Sequence, residues 1–169
     1  MELVWGGPNL ENTSPLHVAA WAGLTDYTKH LLKNGIDCNH PDAQQRTALS
    51  WAAAKGHTEI VALLLQHGSN PDQDDRTGQK PLHYAARTNH HAVVKLLLGA
   101  GVSPLTIKTR ENPGRHCGNS PSTKGQTPLL YACQGGNVET TYLLIHRMHL
   151  IHPSFSLLRD NIWMLCVLY

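Results

Sequence analysis

One seven-residue phrase returns along this chain at a fixed spacing, and that period limits the fold more than any other feature. Ser14-Pro15-Leu16-His17-Val18-Ala19-Ala20 reappears as Thr47-Ala48-Leu49-Ser50-Trp51-Ala52-Ala53. It returns as Lys80-Pro81-Leu82-His83-Tyr84-Ala85-Ala86 and once more as Thr127-Pro128-Leu129-Leu130-Tyr131-Ala132-Cys133. Pro15, Ala48 and Pro81 stand 33 residues apart, and Pro128 follows after 47, one period with 14 residues added. A second set of landmarks keeps the same beat. Gly23-Leu24-Thr25-Asp26, Gly56-His57-Thr58-Glu59, Asn89-His90-His91-Ala92 and Gly136-Asn137-Val138-Glu139 each open a run ending in leucines, and Gly35, Gly68 and Gly101 close the first three. Two independent landmarks on one spacing define a repeat, and a period of this size means stacked supersecondary units.

Each landmark has a physical role. Thr or Ser before Pro reads as a helix start, where the hydroxyl caps free N–H groups and Pro at the first helical position loses no needed donor. The Ala-Ala pairs leave a narrow helix face that a neighbouring helix can approach closely. Gly23, Gly56 and Gly136 suit a turn that needs a positive φ, and Gly35, Gly68 and Gly101 suit the C′ position that ends the second helix. A short helix pair cannot bury its apolar face alone, so stability comes from stacking on its neighbours.

The phrase resembles the ankyrin repeat, whose pattern reads roughly Asp-x-x-Gly-x-Thr-Pro-Leu-His-x-Ala-Ala. The third unit fits it best, with Asp75, Gly78, Pro81, Leu82, His83, Ala85 and Ala86. Three departures stand out: Ser50 replaces His in the second unit, Lys80 replaces the capping Thr in the third, and Leu130 replaces His in the fourth. Met148 stands where the fourth unit should have its closing Gly. The run through Tyr131-Ala132-Cys133-Gln134 also resembles the ankyrin arrays of filamentous fungi, which often follow a NACHT or F-box module; these 169 residues contain neither. The resemblance implies an all-α ankyrin-repeat solenoid of about four helix-turn-helix repeats with projecting β-turn or hairpin loops. It also implies that His17 and His83 hydrogen-bond within and between repeats.

The organisation that follows is an N-terminal segment (1–8) and a repeat domain (9–148) with units at 9–41, 42–74, 75–107 and 122–148, then a divergent apolar tail (149–169). The insertion at 108–121 carries Pro113, Gly114, Gly118 and Pro121, which forbid regular structure, and a charge of about +2. It reads either as a tolerated loop or as a specificity loop reaching a partner. The tail ends in nine residues without charge, 161–169, where a solenoid should end on a polar cap. It reads as a degenerate helix over the open end, as the mark of a truncated or altered longer gene, or as a docking segment.

Other function classes fare poorly. The net charge of +2 and pI near 8.4 show none of the clustering that nucleic-acid binding requires. The cysteines Cys38, Cys117, Cys133 and Cys166 lie far apart, which fits a reducing compartment better than a disulfide framework. The start of the chain has no basic residue and no long apolar run, so it does not read as a secretory signal. The longest apolar stretch, 162–169, is far short of the roughly 20 residues needed to cross a bilayer. The expectation is an intracellular monomer, cytoplasmic or nuclear. His146, His149 and His152 do not converge on one helix face, and neither Cys38 with His40 nor His116 with Cys117 has a second pair, so no metal site is expected. The carboxylates sit at helix starts and in turns, where caps and solvated faces explain them, and no phosphate loop occurs. No catalysis and no cofactor are expected.

Function should then lie on the positions the repeat leaves free, on the concave face made by the first helices and the turns. The candidates are Trp21, Arg46, Lys55, Arg76, Gln79, Arg87, Lys124 and Gln134. Trp21 beside basic residues has the character of a binding hot spot, although it could equally pack on the segment near Trp5. The positive lean of the face predicts a protein partner with an acidic segment. The alternative is a fragment of a larger multidomain protein, a signalling sensor or ubiquitin-ligase substrate receptor, with no activity of its own.

Overall fold

The computed structural model describes residues 12–104 and 127–151. Segment 1–8, the insertion 108–121 and the tail from residue 152 fall outside the described residues. Among the described residues there are eight helices and no strand. They come in pairs: α1 (Pro15–Ala22) with α2 (Thr25–Lys33), α3 (Ala48–Lys55) with α4 (Thr58–Gln66), α5 (Pro81–Arg87) with α6 (His91–Gly99), and α7 (Pro128–Gln134) with α8 (Val138–Ile151). The first helices of the pairs stack in series, α1 on α3 on α5 on α7, and the second helices stack beside them. The expected solenoid is the observed one.

The alanine pairs set the inner spacing. Ala19, Ala20, Ala52, Ala53, Ala85 and Ala86 have no exposed surface, and Leu16, Leu49 and Leu82 are sealed beside them. The outer row contributes Ile60, Val61, Leu64, Val93, Val94, Leu97 and Leu144. The fourth unit packs less tightly: Cys133, in the place of the second Ala, is half-buried, and so is Leu129. Without a glycine at Met148 nothing stops α8, which runs 14 residues where each other outer helix runs nine.

Gly23 and Gly56 have the positive φ their turns require, 76° and 77°. They answer a second need that the pattern does not reveal. A Cβ on Gly23 would lie 2.7 Å from the His57 ring, and one on Gly56 would collide with His90. Each histidine leans on the preceding unit and donates to the end of its inner helix: His57 Nε2–H to the Trp21 carbonyl at 3.2 Å, His90 to the Ala54 carbonyl. Asn137 does the same work in the fourth unit, with Nδ2 donating to the Ala86 carbonyl at 2.9 Å. Helix-end carbonyls that would otherwise lack a donor are thus satisfied across repeats.

Hydroxyl capping is the expectation that fares worst. Among the described residues only Thr127 accepts a helix N–H, that of Leu130 at 3.2 Å. At Ser14 and Lys80 the histidine three residues on takes over, His17 Nδ1 accepting from Ser14 N–H at 3.2 Å and His83 Nδ1 from Lys80 N–H at 3.0 Å. A ring nitrogen at the third helical position reaches the cap N–H as a capping-box side chain does. With Nδ1 accepting, His17 Nε2–H donates to the Arg46 carbonyl of the next turn at 3.1 Å. Burial lowers the His17 pKa, which holds the ring in the neutral form that both bonds need.

Candidate functional site

The turns before α3 and α5 are built alike. Asp42 N–H donates to the Arg46 carbonyl at 2.8 Å, and Asp75 N–H to the Gln79 carbonyl at 2.9 Å. Each turn passes through a left-handed residue, Gln45 (φ 65°) and Gly78 (φ 82°). Arg76 N–H donates to the Gln44 carbonyl at 2.9 Å, which ties the two fingertips together.

The aspartate that opens each turn is buried, contrary to the solvated turn carboxylate expected from sequence. Asp42 is 1% exposed. Its Oδ1 accepts from the N–H groups of Gln44 and Arg46, both at 2.8 Å, and its Oδ2 from Arg46 Nε at 2.8 Å and Trp51 Nε1 at 3.1 Å. The Arg46 guanidinium also lies 4.2 Å above the Trp51 ring. Asp75 is 3% exposed, and its Oδ1 accepts from Thr77 N–H and Oγ1, both at 2.7 Å, and from Gln79 N–H at 2.9 Å. Its Oδ2 accepts from the Tyr84 hydroxyl. Burial and then the Asp75 charge push the Tyr84 phenol far above its ordinary range, so the bond persists at any physiological pH.

Between these turns and α5 lies an open pocket of about 260 Å³. Arg46, Arg76, Gln79 and Arg87 line it, with Gln44 and Thr77 on the turns and Asp75 and Tyr84 behind them. Four of the eight sequence candidates therefore meet here. Arg76 is exposed and Gln79 half-buried. Arg87 stands with its guanidinium 5.2 Å over Tyr84 and 5.8 Å over Tyr131, bridging the third and fourth units. Arg46 is present but spent: its Nη2 pairs with Asp42 Oδ2 at 2.8 Å and donates to Gln44 Oε1 at 3.1 Å.

Two more candidates pair elsewhere on the stack. Lys55 Nζ sits 5.0 Å over the Trp21 ring, which is 39% exposed. Gln134 is exposed at the end of α7. Lys124 and the segment near Trp5, the alternative packing surface for Trp21, fall outside the described residues.

Sequence reasoning missed Trp51 and Tyr84 as partners of the turn aspartates. The signal was available, because Asp42 to Trp51 and Asp75 to Tyr84 are both nine-residue separations at the same repeat position. Three of the described residues with metal-ligand chemistry have other contacts, while His116, Cys117 and His152 fall outside the described residues. Cys38 is buried with Sγ 3.5 Å from the His67 carbonyl, His40 meets the His17 ring edge-on, and His146 stacks on Tyr142. Among the described residues no helix is long and apolar enough to cross a membrane.

A model of ankyrin repeats in three copies matches residues 16–107, and a model of a single ankyrin repeat matches residues 124–152. No curated protein matches the chain.

Proposed function

The chain belongs to the ankyrin-repeat family, whose arrays are generally protein–protein interaction modules, and from that premise we propose that it is a non-catalytic module holding a partner protein on its inner-helix and turn face. The observation that carries the reading is the side-chain grouping. The repeat leaves these positions free, yet Arg76, Gln79 and Arg87 share one pocket, and Trp21 with Lys55 forms an exposed pair on the same stack of inner helices. An exposed indole held by a cation has the composition of an interface anchor. The surplus of basic groups favours an acidic segment of the partner over a neutral one. On this reading the chain acts as an intracellular monomer, needs no cofactor and engages neither nucleic acid nor membrane.

The test is a titration of a partner, once isolated by affinity capture, against the intact chain and two variants. Trp21→Ala/Lys55→Ala should weaken binding by roughly tenfold or more. Tyr27→Ala, which alters an exposed side chain on α2, should leave it unchanged. Equal affinity for all three, or a loss confined to Tyr27→Ala, would place the interface elsewhere and end the proposal.

A further inference from the structure

We propose that the end face of the fourth unit is a docking surface within the chain, and that its occupant is the apolar segment 153–169 that follows α8. The surface is made by Leu130 of α7 and by Val138, Tyr142 and Leu150 of α8. None of these residues is used by the inner-face reading above.

Repeat position identifies the face as a seam. Leu130 stands in the place of His17, Ser50 and His83. Those three are buried, and His17 donates to the Arg46 carbonyl of the following turn. Val138 takes the place of Thr25, Thr58 and His91, and Tyr142 that of Lys29, Ala62 and Lys95. In units that have a successor these positions reach across to it. Thr25 and Lys29 approach Glu59 at 3.5 and 3.6 Å, and His91 approaches Glu139 at 3.8 Å. In the fourth unit Leu130, Val138 and Tyr142 are 41%, 64% and 61% exposed. The row beneath is also less covered: Leu129 and Cys133 are half-buried, where Leu82 and Ala86 of the third unit are sealed. An exposed apolar surface of this kind marks a contact site.

The side chains at the seam select what covers it. A further unit of the same kind, including the first unit of a second copy, would bring a turn carbonyl toward Leu130 and a carboxylate toward Val138 and Tyr142. Leu130 and Val138 have no donor for them and Tyr142 has no charge, so such a seam would desolvate polar groups without compensation. An apolar cover loses nothing. Val138, Tyr142, His146 and Leu150 follow one another at four-residue steps and share one face of α8, with the His146 ring stacked on Tyr142. Segment 153–169 starts just beyond α8 and brings Phe155, Leu157, Leu158, Ile162, Trp163 and Leu165. Its charges, Arg159 and Asp160, are adjacent and opposite, and 161–169 has none. So short a tether gives the segment a high effective concentration at the face, an advantage over any free apolar partner.

The probe is a nitroxide on Cys166 of the ¹⁵N-labelled full chain carrying Cys38→Ala, Cys117→Ala and Cys133→Ala, and the readout is paramagnetic broadening of backbone amides. An amide spectrum that matches the wild type would establish that this chain folds. The amides of Leu130, Val138 and Tyr142 should lose most of their intensity relative to the reduced nitroxide, while those of Trp21 and Lys55 keep theirs. Unbroadened amides at the end face would overturn the proposal. A mixture of nitroxide-labelled ¹⁴N chain with unlabelled ¹⁵N chain should show no broadening. Broadening there would give the face to the tail of a second copy and overturn the internal assignment.

Protection from cleavage supplies a second readout, without a label. Arg159 is the only Arg or Lys in 152–169. An arginine-specific protease should cut after it several-fold faster in Val138→Thr/Tyr142→Lys, which copies Thr25 and Lys29, than in the wild type. Arg87, at the end of α5, should stay uncut in both and so report an intact stack. Equal rates at Arg159 with Arg87 uncut would overturn the proposal. Cutting at Arg87 would reveal an unfolded variant, and the nitroxide experiment, which keeps Val138 and Tyr142, then decides. The Trp21→Ala/Lys55→Ala titration judges the inner-face reading separately from either result.

Discussion

The second and third turns occupy equivalent places in the repeat and bury the same aspartate, yet they close it in different ways. Asp42 is met by a cation of its own turn, Arg46, which lies over the Trp51 ring. One period later Gln79 stands in the place of Arg46 and Tyr84 in the place of Trp51. Asp75 then takes its hydrogen bonds from neutral donors, two hydroxyls and two backbone N–H groups. The second turn is therefore electrically complete, and its arginine is part of the fold. The third turn leaves its own cation, Arg76, exposed at a pocket and without an ion pair among the described residues. A basic residue on a repeat surface is available to a partner only where the scaffold has not already used its charge.

Removing each aspartate in turn should show the difference most strongly. Asp42→Ala leaves Arg46, whose side chain is 16% exposed, and the Trp51 N–H without their acceptor. Breaking such a pair costs about 3–5 kcal/mol, and urea unfolding followed by circular dichroism should register most of it. Asp75→Ala strands neutral hydrogen-bond donors and should cost less, roughly 1–3 kcal/mol. If Asp75→Ala proves the more damaging, charge is not what separates the two turns.

The converse experiment rewrites the third turn as the second. Gln79→Arg places a guanidinium beside Asp75 and removes a buried carbonyl that has no partner among the described residues. Stability should rise by roughly 0.5–1.5 kcal/mol, measured by the same unfolding curves. A variant that is less stable would mean that the two turns are not interchangeable.

Much of this architecture is legible in the amino-acid sequence. The period locates all eight described helices, and Gly23 and Gly56 mark their turns, because backbone requirements are written locally. The gathering of Arg46, Arg76, Gln79 and Arg87 can be anticipated from repeat position alone. What the chain does not reveal is which charges are spent. Arg46 and Arg76 look alike in sequence, and only the folded turn shows that Arg46 is held by the buried Asp42 and lies against the Trp51 ring. The capping role of His17 is hidden for a similar reason. Ser14 looks like a sufficient cap, whereas in the fold its hydroxyl and its N–H both meet the His17 ring, which also reaches the next turn.

The two repeat boundaries also differ in what acid can do to them, and this is the mildest of the expected effects. His17 joins the first unit to the second turn through the Arg46 carbonyl, with Asp42, His40 and Arg46 as its charged or titratable neighbours. At the corresponding place in the second unit stands Ser50, which cannot titrate. On the other side of the stack His90, facing His57, joins the third unit to the Ala54 carbonyl of the second. Burial lowers the pKa of both His17 and His90 from 6.5 in the folded chain. Below that value the unfolded chain takes up protons that the folded one refuses, so the linkage sign is fixed. Stability is full above about pH 6.5 and falls as the pH drops through the lowered folded pKa values. Denaturation midpoints at pH 7.5 and 5.5 should show the loss for the wild type. His17→Ser, which copies the second unit, and His90→Asn, which copies Asn137 of the fourth, should each begin less stable at pH 7.5 but lose less on acidification. The double variant should be the flattest. If it loses as much as the wild type, the acid response belongs to histidines outside the repeat boundaries, and the two junctions are equal in this respect after all.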